Sequence, residues 1–351
     1  MNPSDDLICR HVQSMHGYVP GEQPRIPGLV KLNTNENPYP PSPKVMQALA
    51  GIGEAQVRMY PDPVAFALRQ RIAVLHGYRA DQVFAANGSD EVLALCTRAF
   101  VEDGGTIGSF DPSYSLYPIL SDIRPAKFDT VPLTADYEWN MPDDYRASLF
   151  YLTNPNAPTS LLFPKEKIRS FCASFAGVVL IDEAYADFAP WNCMDLAGEF
   201  SNVLVSRSLS KSYSLAGARA GYVVGSPDLI AALFTIKDSY NVNVVTQAMA
   251  LAAIDDQAHM KANVAKILAT RARISDAMKS RGYTVYESAT NFLWARPPAG
   301  HSAEAVFRHL REHKVLIRYF PGEKTGDCIR VTIGTDDQMD AFLNALPNVP
   351  A

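Results

Sequence analysis

Lys211 stands in the stretch Ser208-Leu209-Ser210-Lys211-Ser212-Tyr213-Ser214, and Arg219 follows eight positions on. An amine among hydroxyls and small residues, with a guanidinium close by in sequence, suits a phosphate cradle beside a reactive amine. A lone lysine is otherwise a solvated surface residue. The stretch is no P-loop, because G-x-x-x-x-G-K-[ST] is absent. Asp182-Glu183-Ala184-Tyr185 follows the apolar run Val178-Val179-Leu180-Ile181. Two carboxylates at a buried strand end are costly unless paired, and a surface-facing cap is the plain alternative. Asn87-Gly88-Ser89-Asp90-Glu91 is a glycine turn into a helix. Free N–H groups at such a start bind phosphate well, although an ordinary N-cap has the same pattern. Asn154-Pro155-Asn156-Ala157-Pro158-Thr159-Ser160 is a polar loop, by itself merely a turn. All four fall at the C-terminal end of an expected strand, where open α/β sheets put ligands.

The elements that must position these residues are readable from apolar periodicity. The first forty residues, rich in Pro, Gly and Asn, read as an extended arm and loop rather than a long helix. Val64–His76, Glu91–Phe100 and Lys165–Phe175 have helical spacing. Gln82–Ala86, Thr106–Phe110, Lys127–Val131, Ser148–Thr153, Gly177–Ile181, Asn202–Val205 and Ala220–Val224 are strand candidates. Apolar strands alternating with helices predict an α/β fold with a mainly parallel sheet covered on both faces. After Val244 the texture changes. Val244–Arg281 is Ala-rich and reads as one long helix or two. Thr284–Tyr286, Phe292–Ala295, the helix Ala303–Lys314, Val315–Arg318, Ile329–Ile333 and a helix after Asp336 then form a small α+β unit. The expected organisation is an arm over 1–40, a large domain over 41–245 and a small domain over 246–351 that packs with the arm.

The chain has 351 residues, beyond the size at which one hydrophobic core usually stops growing. Its net charge of -5 argues against a nucleic-acid or membrane partner, which calls for a basic face. The five cysteines (Cys9, Cys96, Cys172, Cys193, Cys328) form no C-x-x-C pair and no metal or disulfide pattern. The expectation is reduced thiols, no metal and a cytoplasmic protein. The N-terminus has early acids and no apolar core, so it does not read as a signal peptide, and no apolar run reaches a membrane span.

Asp182-x-x-Tyr185, Ser208-x-Ser210-Lys211 and Arg219 together resemble the fold-type I pyridoxal-phosphate (PLP) aminotransferases. Lys31-Leu32-Asn33-Thr34-Asn35-Glu36-Asn37-Pro38, Tyr60-Pro61-Asp62-Pro63 and Ser89-Asp90-Glu91 narrow the resemblance to the histidinol-phosphate aminotransferase family, over almost the whole chain. The resemblance implies a large domain with a mainly parallel sheet between helices and a small α+β domain. It implies that Lys211 carries PLP as a Schiff base and acts as the base of the proton shift. Asp182 then keeps the pyridine nitrogen protonated, so that the ring accepts electrons. Tyr185 bonds the phenolic O3′, and Tyr114 stacks on the ring. Ser208, Ser210 and Arg219 take the phosphate, with backbone N–H groups near Ser89 and Asp90. In similar enzymes the tyrosine at Tyr60 reaches the phosphate of the neighbouring subunit's cofactor, which implies a homodimer with shared active sites. One departure stands out: the family's usual Asn before the second Pro is Ala157 here, and Ser160 replaces a usual Gly. The O3′ contact then falls to Tyr185 together with Asn154, Asn156 or a water.

By the same resemblance Arg330 takes the substrate carboxylate, as a bidentate guanidinium suits. Arg318 lies near the distal phosphate or the carboxylate, and Tyr18, Asn35 and Asn37 lie on the arm that closes over the site. Tyr240-Asn241-Val242-Asn243 resembles another substrate-side segment. The implied reaction moves an amino group from histidinol phosphate to 2-oxoglutarate, giving imidazole-acetol phosphate and glutamate. An aromatic aminotransferase or a threonine-phosphate decarboxylase carries the same Lys211 and Asp182 and stays open, as does, more remotely, a non-catalytic PLP-binding regulator.

Overall fold

A computed structural model describes residues 7–347. The first six residues of the expected arm and the last four of the expected small domain lie outside the described residues. In chain order the strands are β1 (Val30–Lys31), β2 (Val83–Ala86), β3 (Thr106–Asp111), β4 (Lys127–Pro132), β5 (Leu149–Thr153), β6 (Val178–Asp182), β7 (Val203–Ser208), β8 (Gly221–Gly225), β9 (Thr284–Val285), β10 (Phe292–Arg296), β11 (Val315–Leu316), β12 (Arg318–Tyr319) and β13 (Ile329–Thr332).

The large sheet has the order β2-β8-β7-β6-β5-β3-β4. All pairings are parallel except those of β8, which runs antiparallel to both β2 and β7. Its central strands are apolar throughout because both faces are covered. The two-residue period of a strand divides them cleanly. Phe150, Leu152, Val179, Ile181, Val203 and Val205 enter one buried cluster, while Leu149, Tyr151, Leu180 and Leu204 enter the other. Helices Ser89–Phe100, Leu116–Ile123 and Pro227–Ile236 cover the second face through Leu93, Tyr117, Leu120 and Leu233.

Four strands, β12-β13-β10-β9, make a separate antiparallel sheet. β1, on the arm, pairs parallel with β11. The expected single strand over Val315–Arg318 is two: β11 pairs with the arm, and β12 turns at Ile317 to pair with β13. The Ala-rich stretch is two helices, Val244–Ile254 and Gln257–Ser280, interrupted at Asp255-Asp256. The first packs on helices Pro43–Ala50 and Phe66–His76, the second on Asp336–Ala345. Pro43–Ala50 and Pro227–Ile236 were not expected as helices. Both begin in Ser-Pro, with proline where its fixed φ suits a first turn and its missing N–H costs nothing.

Candidate active site

Thr153, Asp182 and Ser208 end neighbouring strands, and the loop from β7 to β8 carries Lys211 and Arg219. The two adjacent carboxylates resolve in opposite ways. Glu183 is 1% exposed and forms an ion pair with Arg207, 2.9 Å from Nε. Arg207 also pairs with Asp187 at 2.8 Å, and Asp187 accepts from Ser212 beside the lysine. Asp182 is 3% exposed and meets no cation among the described residues. Its Oδ2 accepts from Tyr117 at 3.0 Å, and its Oδ1 from the Ala184 N–H at 3.2 Å and Ser206 at 3.5 Å. Burial pushes the Asp182 carboxyl up to about 6. A buried, hydrogen-bonded carboxylate without a cation is a site for a cationic group of a ligand.

Lys211 Nζ donates to the Thr34 carbonyl at 3.1 Å and lies 5.9 Å from the Tyr185 ring centre. Burial first, and the Arg330 charge second, lower its ammonium to about 8, so a useful fraction is the nucleophilic amine near neutral pH. Asn37 donates to the Lys211 and Ser212 carbonyls at 3.0 and 3.2 Å, which ties the arm to the lysine loop. Asn35 donates to the Tyr185 hydroxyl at 2.9 Å and is itself held by Thr332 and Asn291.

Arg219 Nη2 lies 3.3 Å from Asp90 and Nη1 lies 3.4 Å from the Ser210 hydroxyl. The helix Ser89–Phe100 begins here with no side-chain cap, leaving its first N–H groups free for an anion. Gly88 must be glycine: φ is +85°, and a Cβ would come 2.5 Å from Arg219 Nη2. Ser208 accepts from the Ser210 N–H at 3.2 Å. Tyr114 donates to Asp90 at 3.4 Å, and Tyr18 meets the Tyr114 ring edge-on at 6.1 Å.

Arg318 and Arg330 are direct cross-strand partners. Arg330 donates to the Asn33 carbonyl at 2.9 Å and Arg318 to the Val19 carbonyl at 3.4 Å, and both guanidiniums lie against Phe320. Neither has a carboxylate partner among the described residues, and Arg330 Nε is buried without an acceptor. Like charges directly opposite are destabilising in a sheet, and an anion bound between the two would relieve that.

Asn154 and Asn156 already have hydrogen-bond partners within the protein. Asn154 accepts from the Phe163 N–H at 2.9 Å, and Asn156 donates to the Pro112 carbonyl and Thr159. Ser160 has φ of +66°, the conformation a glycine would favour. Tyr60 is not gathered with the rest: it is 81% exposed and stacks on Tyr240 at 4.4 Å. Asn241 follows it in donating to Glu91 at 3.0 Å. The sequence reading missed Tyr117, the donor to Asp182. Its spacing of three from Tyr114, at a helix start, was the available signal.

An amine, a buried carboxylate lacking a cation among the described residues and a free helix start beside a guanidinium lie at the C-terminal ends of a mostly parallel sheet. The chain belongs to the aminotransferase class I and II family, whose model matches residues 27–346. The histidinol-phosphate aminotransferase of Geotalea uraniireducens is 42% identical, over 97% of this chain and 99% of that one. Histidinol-phosphate aminotransferase 2 of Thiobacillus denitrificans is 44% identical over 95% of each. The solved histidinol-phosphate aminotransferase of Sinorhizobium meliloti, in complex with pyridoxal-5'-phosphate, superposes with a TM-score of 0.86 at 26% identity, covering 97% of this chain and 96% of that one. The architecture is that of the fold-type I aminotransferases, as the sequence resemblance implied.

Proposed function

We propose that this chain is a PLP-dependent aminotransferase that moves the amino group of histidinol phosphate to 2-oxoglutarate. The observation that carries it is Asp182, a buried carboxylate without a cation, facing the same site as Lys211 and the Arg219 cradle. When bound, PLP supplies an electrophilic aldehyde and an electron-accepting ring. Asp182 would hold the proton on the ring nitrogen, and Tyr185, braced by Asn35, would bond the phenolic oxygen. Ser208, Ser210, Arg219 and the N–H groups of Ser89 and Asp90 would take the phosphate, and Tyr114 would stack on the ring. Lys211 Nζ would anchor the cofactor and serve as the base for the proton on the amine-bearing carbon of the substrate. Arg330 and Arg318 receive the substrate's anionic groups, with Tyr18 at the arm's edge of the site. The relatives' names support histidinol phosphate as donor. Mixing the purified yellow protein with histidinol phosphate, phenylalanine or threonine phosphate and following the cofactor's absorbance tests this. Fastest half-transamination by phenylalanine, or decarboxylation of threonine phosphate, would replace the reading.

The unpaired guanidinium predicts a particular kinetic phenotype. Arg330→Lys keeps the charge but loses the bidentate fork. We expect KM for 2-oxoglutarate to rise about 10- to 100-fold with a smaller change in kcat. An unchanged KM would move the carboxylate site elsewhere.

The proposed assembly is a cytoplasmic homodimer in which Tyr60 reaches the partner's phosphate site. Val57, Met59, Tyr60, Val64 and Phe66 form a run of exposed apolar side chains, as a subunit face requires. Asp62 fixes their turn by accepting from the Val64 and Phe66 N–H groups at 2.9 and 2.8 Å. Mixing Lys211→Ala subunits with weakly active Tyr60→Ala subunits separates the alternatives. If Tyr60 acts across the interface, each hybrid has one intact site and activity rises on exchange. A flat result with hybrids present would remove the shared site. No described helix is long and apolar enough to cross a membrane. The division into arm, large and small domains is supported by the separate sheets and by β1 joining β11.

A further inference from the structure

We propose that Tyr117 is a positioning residue of this site, one side chain that fixes both the Asp182 carboxylate and the Tyr114 ring. The inference rests on the reading of Asp182 and Tyr114 as the cofactor's nitrogen partner and stacking partner. Tyr117 is fully buried on the first turn of helix Leu116–Ile123. Its hydroxyl reaches Asp182 Oδ2 at 3.0 Å and also meets the Thr153 hydroxyl. Two polar partners at adjacent strand ends fix the phenol's direction, and only Asp182 is charged. Its ring stands edge-on to Tyr114, with centres 5.6 Å apart and planes at 86°. The opposite wall is Tyr151, stacked at 4.5 Å, whose own hydroxyl donates to the Leu93 carbonyl at 2.8 Å. Leu93 belongs to helix Ser89–Phe100, whose start is the anion cradle. Nitrogen partner, stacking ring and cradle helix are thus joined through one pair of stacked tyrosines.

The chemical consequence follows from the direction of the hydrogen bond. A phenol donating to a carboxylate favours its ionised form, here against burial, which favours the neutral acid. With the phenol in place, Asp182 is favoured as the anion, and a bound ring nitrogen would keep the shared proton. Without it, the carboxyl binds the proton more strongly and the ring becomes a weaker electron acceptor. Asp182 Oδ1 keeps the Ala184 N–H and Ser206, so the loss is a shift in proton position rather than collapse of the carboxylate.

The test is Tyr117→Phe, which keeps the ring and removes the hydroxyl, in the PLP-loaded full chain. The expected result is PLP affinity weaker by about tenfold, the worth of a hydrogen bond to a charged group. The resonance of a 15N-labelled ring nitrogen should also move towards the neutral pyridine position. A merely structural tyrosine would not move that resonance. Thr153→Val removes the hydroxyl's other partner, and should leave the resonance in place. In the cofactor-free full chain, the Asp182 carboxyl, followed by 13C labelling, should titrate at higher pH in Tyr117→Phe than in the wild type. Unchanged affinity and resonance, or an unmoved carboxyl titration, would overturn the role. A wild type that takes up no PLP would instead overturn the proposed function, while the carboxyl titration still decides the Tyr117–Asp182 coupling.

Discussion

Replacing Lys211 with alanine is expected to abolish turnover. A positioned general base alone contributes about 10²- to 10⁴-fold, and Lys211→Ala also removes the amine that anchors the cofactor. The variant should still bind PLP reversibly, because the Arg219–Ser210 cradle and Asp182 remain. It should lack the visible absorbance of the wild type. Borohydride should fix the pyridoxyl group to Lys211 in the wild type and to no lysine in the variant; label on another lysine would reassign the site. The cofactor-free variant should melt no lower than the wild type, since Lys211 is a desolvated cation near the Arg330 and Arg219 charges. Its pH behaviour has a definite sign. The neutral amine is the nucleophile, and the ammonium is lowered to about 8, first by burial and then by Arg330. The rate of PLP uptake by the cofactor-free chain should therefore rise as pH passes through about 8 and level above it. In Arg330→Leu the midpoint should move up. A rate flat between pH 6 and 9 would contradict the assignment.

The parts legible in the sequence are those governed by local pattern. Leu149–Thr153 and Val178–Asp182 read as buried strands because a parallel sheet covered on both faces needs apolar residues at every position. The residues that stop these runs were then the candidates for the site, since the ligand crevice of such sheets lies at strand ends. Roles that depend on partners distant in sequence were not legible. Apart from the resemblance carried by Asp182-x-x-Tyr185, nothing local distinguishes Asp182 from Glu183. Arg207, on the next strand, pairs with one of them and leaves the other without a cation. The break between Val315–Leu316 and Arg318–Tyr319 is likewise tertiary, because the arm claims one half and β13 the other. The reversal of β8 was hidden for the same reason: an apolar strand has no intrinsic direction. Tyr60 is the opposite case, since its turn was recognisable and its proposed role belongs to an interface between subunits.

The neighbouring carboxylates Asp182 and Glu183 should respond to removal of charge in opposite ways. Asp182→Asn retains the shape and the Tyr117 donor while deleting the anion. In the holoenzyme this leaves the ring nitrogen without a counter-charge. Removing one partner of a buried pair costs about 3–5 kcal/mol. PLP affinity should then fall by two to three orders of magnitude, and the proton-shift step at least as far, at roughly 1.4 kcal/mol per tenfold. The cofactor-free protein should behave in reverse, because there Asp182 is a buried charge with no cation. Its folded pKa is raised from 3.8 to about 6 by burial. The folded chain consequently binds the extra proton between these values, and stability falls as pH rises through that window. Cofactor-free Asp182→Asn should match the wild type near pH 4 and melt higher above pH 6, by roughly 2–3 kcal/mol at most. Glu183→Gln should do the contrary. It leaves Arg207 with Asp187 alone to balance it, the carboxylate that also holds Ser212, so the cofactor-free chain should lose about 1–3 kcal/mol. The effect of Glu183→Gln on PLP should follow only from the loosened lysine loop. Thermal melts of both cofactor-free variants across pH 4 to 8, set beside PLP titrations, distinguish the two. If Asp182→Asn destabilised the cofactor-free chain at neutral pH as Glu183→Gln does, Asp182 would be a structural carboxylate, and its assignment to the ring nitrogen would fail.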